Sequence, residues 1–143
     1  MLELAKLMLR TSQCTLAVAK SGVVETFYRR GVADLLQLHD ADPERLCGAS
    51  VADKIIGKAA ASILILSGVK EAYAPRITEG ALRLLSEHGV KAECDEAIDR
   101  VENRTHTGRC PLDTVCAELS EPQEMLKTVR DKIRQLNSTT ILQ

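Results

Sequence analysis

The sequence predicts a three-layer α/β/α domain with a mixed sheet, begun by an N-terminal hairpin and continued by parallel strands. Two β-rich runs, Thr15 to Lys20 and Val23 to Tyr28, are separated only by Ser21-Gly22, a two-residue hairpin loop in which glycine supplies a positive φ. Ser50 to Val90 then reads as helix, short strand, helix and the start of another strand, and strands joined through a helix by short loops pair in parallel with a right-handed crossover. The third observation is size: 143 residues, 45% apolar and 27% charged, are enough for one core and exclude a disordered chain.

Each element has a local cause. Leu4, Leu7 and Met8 recur at helical spacing and predict a first helix that ends before Thr11 and Ser12. After the hairpin, Gly31 to Leu38 reads as a short helix or helical turn. His39 to Ala49, with its aspartates, Pro43 and Gly48, reads as a loop. Ser50 as N-cap with Asp53 at N3 predicts a helix running to Ser67 and stopped by Gly68, buried along its AAASILIL half. A strand from Val69 to Ala74 is expected to stop at Pro75. Thr78 caps the next helix, with Leu82 and Leu85 inward, and Gly89 ends it before a strand over Val90 to Cys94. Pro111 at a first turn predicts a short helix through Leu119. Met125, Leu126, Val129, Ile133 and Leu136 mark a final amphipathic helix. The domain is expected over 1–137, with 138–143 as a tail.

Bulk properties narrow the partners. A formal charge of -1 gives no reason to expect nucleic acid or an anionic membrane, and Phe27, Tyr28 and Tyr73 are too few aromatics for a base-stacking platform. The run Ala59 to Val69 is far shorter than the roughly 20 residues of a membrane span. Glu3, Lys6 and Arg10 interrupt the N-terminus too early for a signal peptide. Cys14, Cys47, Cys94, Cys110 and Cys116 are an odd set without framework spacing, so free thiols in a cytoplasmic protein are expected. A homo-oligomer is compatible with all of this.

Four places could carry chemistry. Lys54 and Lys58, read as i and i+4 in the first turns of the helix from Ser50, add positive charge to a positive helix end, a cost that a bound phosphate or carboxylate would remove. The plainer alternative is a solvated face with Asp53 as partner. Cys110, as N-cap before Pro111 and beside Arg109, has the surroundings that lower a thiol pKa, opposed by Asp113. Asn103 to Gly108, NRTHTG, gathers donors and acceptors in one turn, with Asn103, Thr107 and Gly108 as candidate ligand contacts and His106 as a lone imidazole. Such loops bind ligands outside the carboxyl ends of parallel strands. Glu79 could bring a carboxylate there, or only favour the helix dipole.

Gly31-Val32, the ADKIIGKAAA run from Ala52 to Ala61, the passage to Glu79, and NRTHTGRCP from Asn103 to Pro111 together resemble the prokaryotic domain-of-unknown-function family numbered eighteen ninety-three. The resemblance covers most of the chain and implies a cytidine-deaminase-like fold, without a reaction. Zinc deaminases pair a His or Cys two residues before a Glu with a Pro-Cys-x-x-Cys. Here the corresponding segments read SVADK and CPLDTVC, an incomplete ligand set, so neither zinc nor another cofactor is expected. The same fold is shared by a sulfur-transfer accessory family for formate dehydrogenase, an analogy at the level of fold alone. The sequence therefore supports a binding protein for a small anionic or nucleotide-like molecule, held between the Ser50 helix start and the Asn103 to Cys110 loop. The alternative is an enzyme or sulfur carrier using Cys110. A third reading is an interaction module presenting its last helix.

Overall fold

The computed structural model describes residues 1–103, 106 and 108–142. Helix α1 (Leu2–Thr11) precedes the hairpin of β1 (Leu16–Lys20) and β2 (Val23–Phe27). The hairpin turns through Ser21 at φ 53° and Gly22 at φ 81°, both left-handed, as a two-residue type I′ loop requires. Helices α2 (Ala33–Ala41) and α3 (Pro43–Leu46) occupy most of the stretch expected to be a loop.

The largest departure from expectation follows. Ser50–Asp53 is strand β3 and Ile55–Ile56 is strand β4, and the helix α4 (Lys58–Leu66) begins only after Gly57. Ser50 and Asp53 imitate a helix start, but Val51, Ile55 and Ile56 are β-branched, and a strand buried on both faces shows no alternation to betray it. Beyond lie β5 (Glu71–Thr78), α5 (Glu79–Glu87), β6 (Lys91–Ile98), α6 (Pro111–Cys116) and α7 (Pro122–Leu142), which runs on past Asn137 where a tail was expected. The Thr78 hydroxyl accepts the Ala81 N–H at 3.1 Å, the expected cap.

The six strands form one mixed sheet. Strand β1 is antiparallel to both β2 and β3, whereas β5 is parallel to β3, β4 and β6. Strand β6 pairs with β5 along its whole length, so β3 and β4 share the other edge. Their registers are continuous: Ala52 faces Tyr73 and Ile55 faces Arg76. One strand is therefore interrupted at Asp53-Lys54, opposite Ala74-Pro75. Proline has no N–H to give the ladder. Pro75 does not end β5, as expected from sequence; it sits inside the strand, where the neighbouring strand breaks.

Alternate residues divide the core. Leu16, Val18, Val51, Ala72 and Ala74 pack beneath α2, α4, α5, α6 and α7. Ala17, Ala19, Ala52 and Tyr73 face α1. Small side chains on that side let α1 approach closely, and it does so with Ala5, Lys6 and Leu9, leaving Leu4 and Leu7 exposed. Lys6 reaches the Glu93 carboxylate and lies 4.6 Å from the centre of the Tyr73 ring, so its burial is compensated.

Candidate functional site

A cavity of about 290 Å³ opens where β3 breaks, on the helical side of the sheet. Its walls come from Thr15, the Arg30-Gly31-Val32 turn before α2, Asp53 to Ile55, the Gly57 start of α4, and Val101, Cys110, Leu112 and Asp113. This is the carboxyl end of a strand parallel to its neighbour, the place where α/β sheets accept ligands. Val32, Ile55, Ala59, Ala60, Val101 and Leu112 make it mainly apolar.

Two buried carboxyl groups line this cavity. Asp53 is 7% exposed. Freed from the ladder, Lys54 donates its N–H to Asp53 Oδ1 at 2.8 Å. Burial is the main cause that drives the Asp53 carboxyl up to about 7; the Lys54 N–H opposes it, and Asp34 adds to it. Asp34 itself accepts the Arg29 N–H at 2.9 Å and Nε–H at 2.7 Å, fixing the turn that carries Arg30. Asp113, also buried, accepts the Lys58 N–H at 3.3 Å and lies 3.5 Å from the Arg109 guanidinium.

The sequence-derived candidates divide accordingly. Lys54 lines the cavity with an exposed side chain, but on the β3–β4 break, not on a helix. Lys58 is the first residue of α4 and Lys54 precedes it outside any helix, so the two lysines are not neighbours on one helix face. Its ammonium is taken by the carbonyls of Ala117 at 3.0 Å and Leu119 at 2.8 Å. Cys110 lines the cavity as the N-cap of α6, half-buried, while Arg109, expected to act on its thiol, pairs with Asp113. Glu79 opens α5 with its side chain exposed, away from the cavity.

Asn103 and Gly108 belong to an excursion whose neck is the Glu102–Arg109 bridge and the Cys110 N–H donated to Val101 O at 2.8 Å. Val101 and Cys110 of this neck line the cavity. Asn103 and Gly108 do not, and the Asn103 N–H donates to Gly108 O at 2.8 Å. Thr107 lies outside the described residues. His106 meets the exposed Glu102 carboxylate at 2.7 Å and holds it below its ordinary value. Among the described residues, no three His, Cys, Asp or Glu side chains gather closely enough to hold a metal ion.

Sequence reasoning missed Asp53 and Asp113 as site residues, having read the first as the N3 acid of a helix start and a partner for the lysines, and the second only as a charge opposing Cys110. The available signal was an acid standing between the apolar pairs Val51-Ala52 and Ile55-Ile56.

The thiols differ by environment. Cys116 is buried, and burial pushes it up to about 11, with Asp113 adding to the effect. Cys47 is exposed. Iodoacetamide near neutral pH is expected to modify Cys47 at least tenfold faster than Cys116, read by timed peptide mass spectrometry. Equal rates would contradict the burial of α6 against the core.

Fold and cavity define the class: a mixed-sheet α/β domain with an apolar, acid-lined cavity at a strand break. The chain belongs to the family described as Domain of unknown function (DUF1893), which matches residues 4–133. A solved structure of a DUF1893 family protein from Thermotoga maritima, at 2.70 Å resolution, is similar to it with 26% identity and a TM-score of 0.81, covering 91% of this chain and 87% of that one. No curated protein matches. No helix among the described residues is long and apolar enough to cross a membrane.

Proposed function

We propose that this protein binds a small nucleotide-like molecule in the cavity beside Asp53. The observation that carries the reading is a buried carboxyl group, that of Asp53, lining a mainly apolar cavity. A group poised near neutrality both donates and accepts, which suits the adjacent donor and acceptor nitrogens of a heterocyclic base. Apolar walls suit the faces of such a ring. Exposed Arg30 and Lys54 lie at the rim, where an anionic substituent would meet them. A cytidine-deaminase-like architecture and a cytoplasmic setting belong to the same reading; all five cysteines are free thiols, as a reducing compartment favours.

The experiment is a thermal-shift series with nucleosides and nucleoside 5′-monophosphates at millimolar concentration, with inorganic phosphate as control. A bound ligand stabilises the fold by RT ln(1 + [L]/Kd). At least one nucleotide is expected to raise the melting temperature of the wild type, and the rise should vanish in Asp53→Ala. No shift from any of them, or equal shifts in both proteins, would sink the reading. Because Cys110 lines the same cavity, a reactive-thiol role is the second reading. It predicts that Cys110→Ser abolishes covalent capture of a thiol-reactive probe there while sparing any nucleotide shift.

A further inference from the structure

Lys58 stands outside the cavity but touches its most dependent wall. That wall is α6, six residues long and too short to persist without tertiary support. It supplies Leu112 and Asp113 to the lumen and has Cys110 as its cap. Lys58 meets it at both ends. Its backbone N–H donates to Asp113 in the first turn at 3.3 Å. Its ammonium crosses to the other end and donates to Ala117 O at 3.0 Å and Leu119 O at 2.8 Å. Carbonyls at a helix C-terminus lack intrahelical partners and carry partial negative charge, so a cation is what that end needs.

The path of the Lys58 stem is also provided for. It runs over Gly80, in the first turn of α5, where an added Cβ would lie 3.1 Å from Lys58 Cε and 3.7 Å from Cδ and Cγ. The stem thus lies close against the α5 backbone, with no side chain between.

We infer that Lys58 is a positioning residue, clamping α6 at both ends against the start of α4 and so setting the shape of the cavity wall, with Gly80 leaving room for its stem. The consequence for binding rests on the cavity being the nucleotide site; the clamp itself does not.

The test uses hydrogen exchange of the amides of residues 112–119 and iodoacetamide labelling of Cys110, neither of which needs a ligand. Lys58→Met keeps the stem and removes the ammonium. Exchange over 112–119 is expected to rise about tenfold or more and Cys110 labelling several-fold, with exchange in β1, β3 and β5 unchanged. Lys58→Arg, able to donate to the same carbonyls, should restore most of both. Gly80→Ala, which crowds the stem and leaves the ammonium in place, should produce a smaller change of the same sign. If Lys58→Met fails to fold, Gly80→Ala carries the test through the same two readouts.

Unchanged exchange and labelling in Lys58→Met, or in Gly80→Ala where Lys58→Met does not fold, overturns the clamp. So does an increase spread evenly over the sheet. Where a nucleotide stabilises the wild type, its shift should fall in Lys58→Met and return in Lys58→Arg. Absence of any nucleotide shift in wild type overturns the binding reading while the exchange data still decide the clamp.

Discussion

Asp53→Asn is expected to stabilise the protein, and increasingly so as pH rises from 5 to 8. The folded-state carboxyl titrates at about 7 against 3.8 for the ordinary group. The folded form therefore holds a proton that the unfolded chain has already released between those values. Stability must fall as pH climbs through the window from about 4 to about 7, and level off above it. At 1.36 kcal/mol per pH unit, the ionised carboxylate costs the fold on the order of 4 kcal/mol above neutrality. Asparagine keeps an oxygen for the Lys54 N–H and never ionises. The advantage of the variant over wild type should grow by on the order of 3 kcal/mol between pH 5 and pH 8. Urea unfolding of both proteins at the two values measures it. A constant difference would mean that Asp53 ionises freely and is not the poised acid on which the binding reading depends.

The site around this carboxylate is hard to see in the sequence. Local signals at Ser50 to Gly57 agreed on a helix start: a serine, an acid three residues on, then an apolar run. What overrode them was tertiary. Strand β3 is sandwiched between β1 and β5, with helices on one face and α1 on the other, so its burial pattern is continuous and carries no period. The break in β3 falls opposite Pro75 of β5, a pairing that no local window contains. The hairpin, by contrast, was fully legible, because the Ser21-Gly22 turn and its flanking strands are adjacent in the chain. The Thr78 cap and the α5 stop at Gly89 were legible for the same reason.

Cys110 and Lys54 were found because charge and capping chemistry are local, and both line the cavity. The cavity itself joins residues 15, 53, 101 and 113, brought together only by the sheet order. Lys58 shows the reverse error: read as free positive charge at a helix start, it is occupied by carbonyls about sixty positions onward, a pairing invisible to periodicity. The mixed sheet and flanking helices could be read without those contacts, since strand number and crossover rules need only the order of elements.

Gly57→Ala should be the most damaging small change at the site. Gly57 has φ −105°, open to any residue, so backbone conformation costs nothing and the effect is steric. An added Cβ would lie 2.7 Å from Asp113 Oδ1 and 3.0 Å from Val101 Cγ2. Neither neighbour is free to swing aside: Asp113 is buried and holds the Lys58 N–H and Arg109, and Val101 sits at the neck of the excursion, its carbonyl bonded to Cys110. Overpacking of this kind costs about 1–3 kcal/mol. Gly108→Ala is the control, since a Cβ there meets nothing closer than Asn103 Nδ2 at 4.0 Å. The decisive measurement is a double-mutant cycle by chemical unfolding. Asp113→Ala removes the oxygen that the new methyl group would strike, so the further cost of Gly57→Ala should shrink by about 1 kcal/mol or more in that background. Additive effects would show that the α4 start and α6 do not meet across Gly57, and the cavity would lose the close approach that shapes its floor.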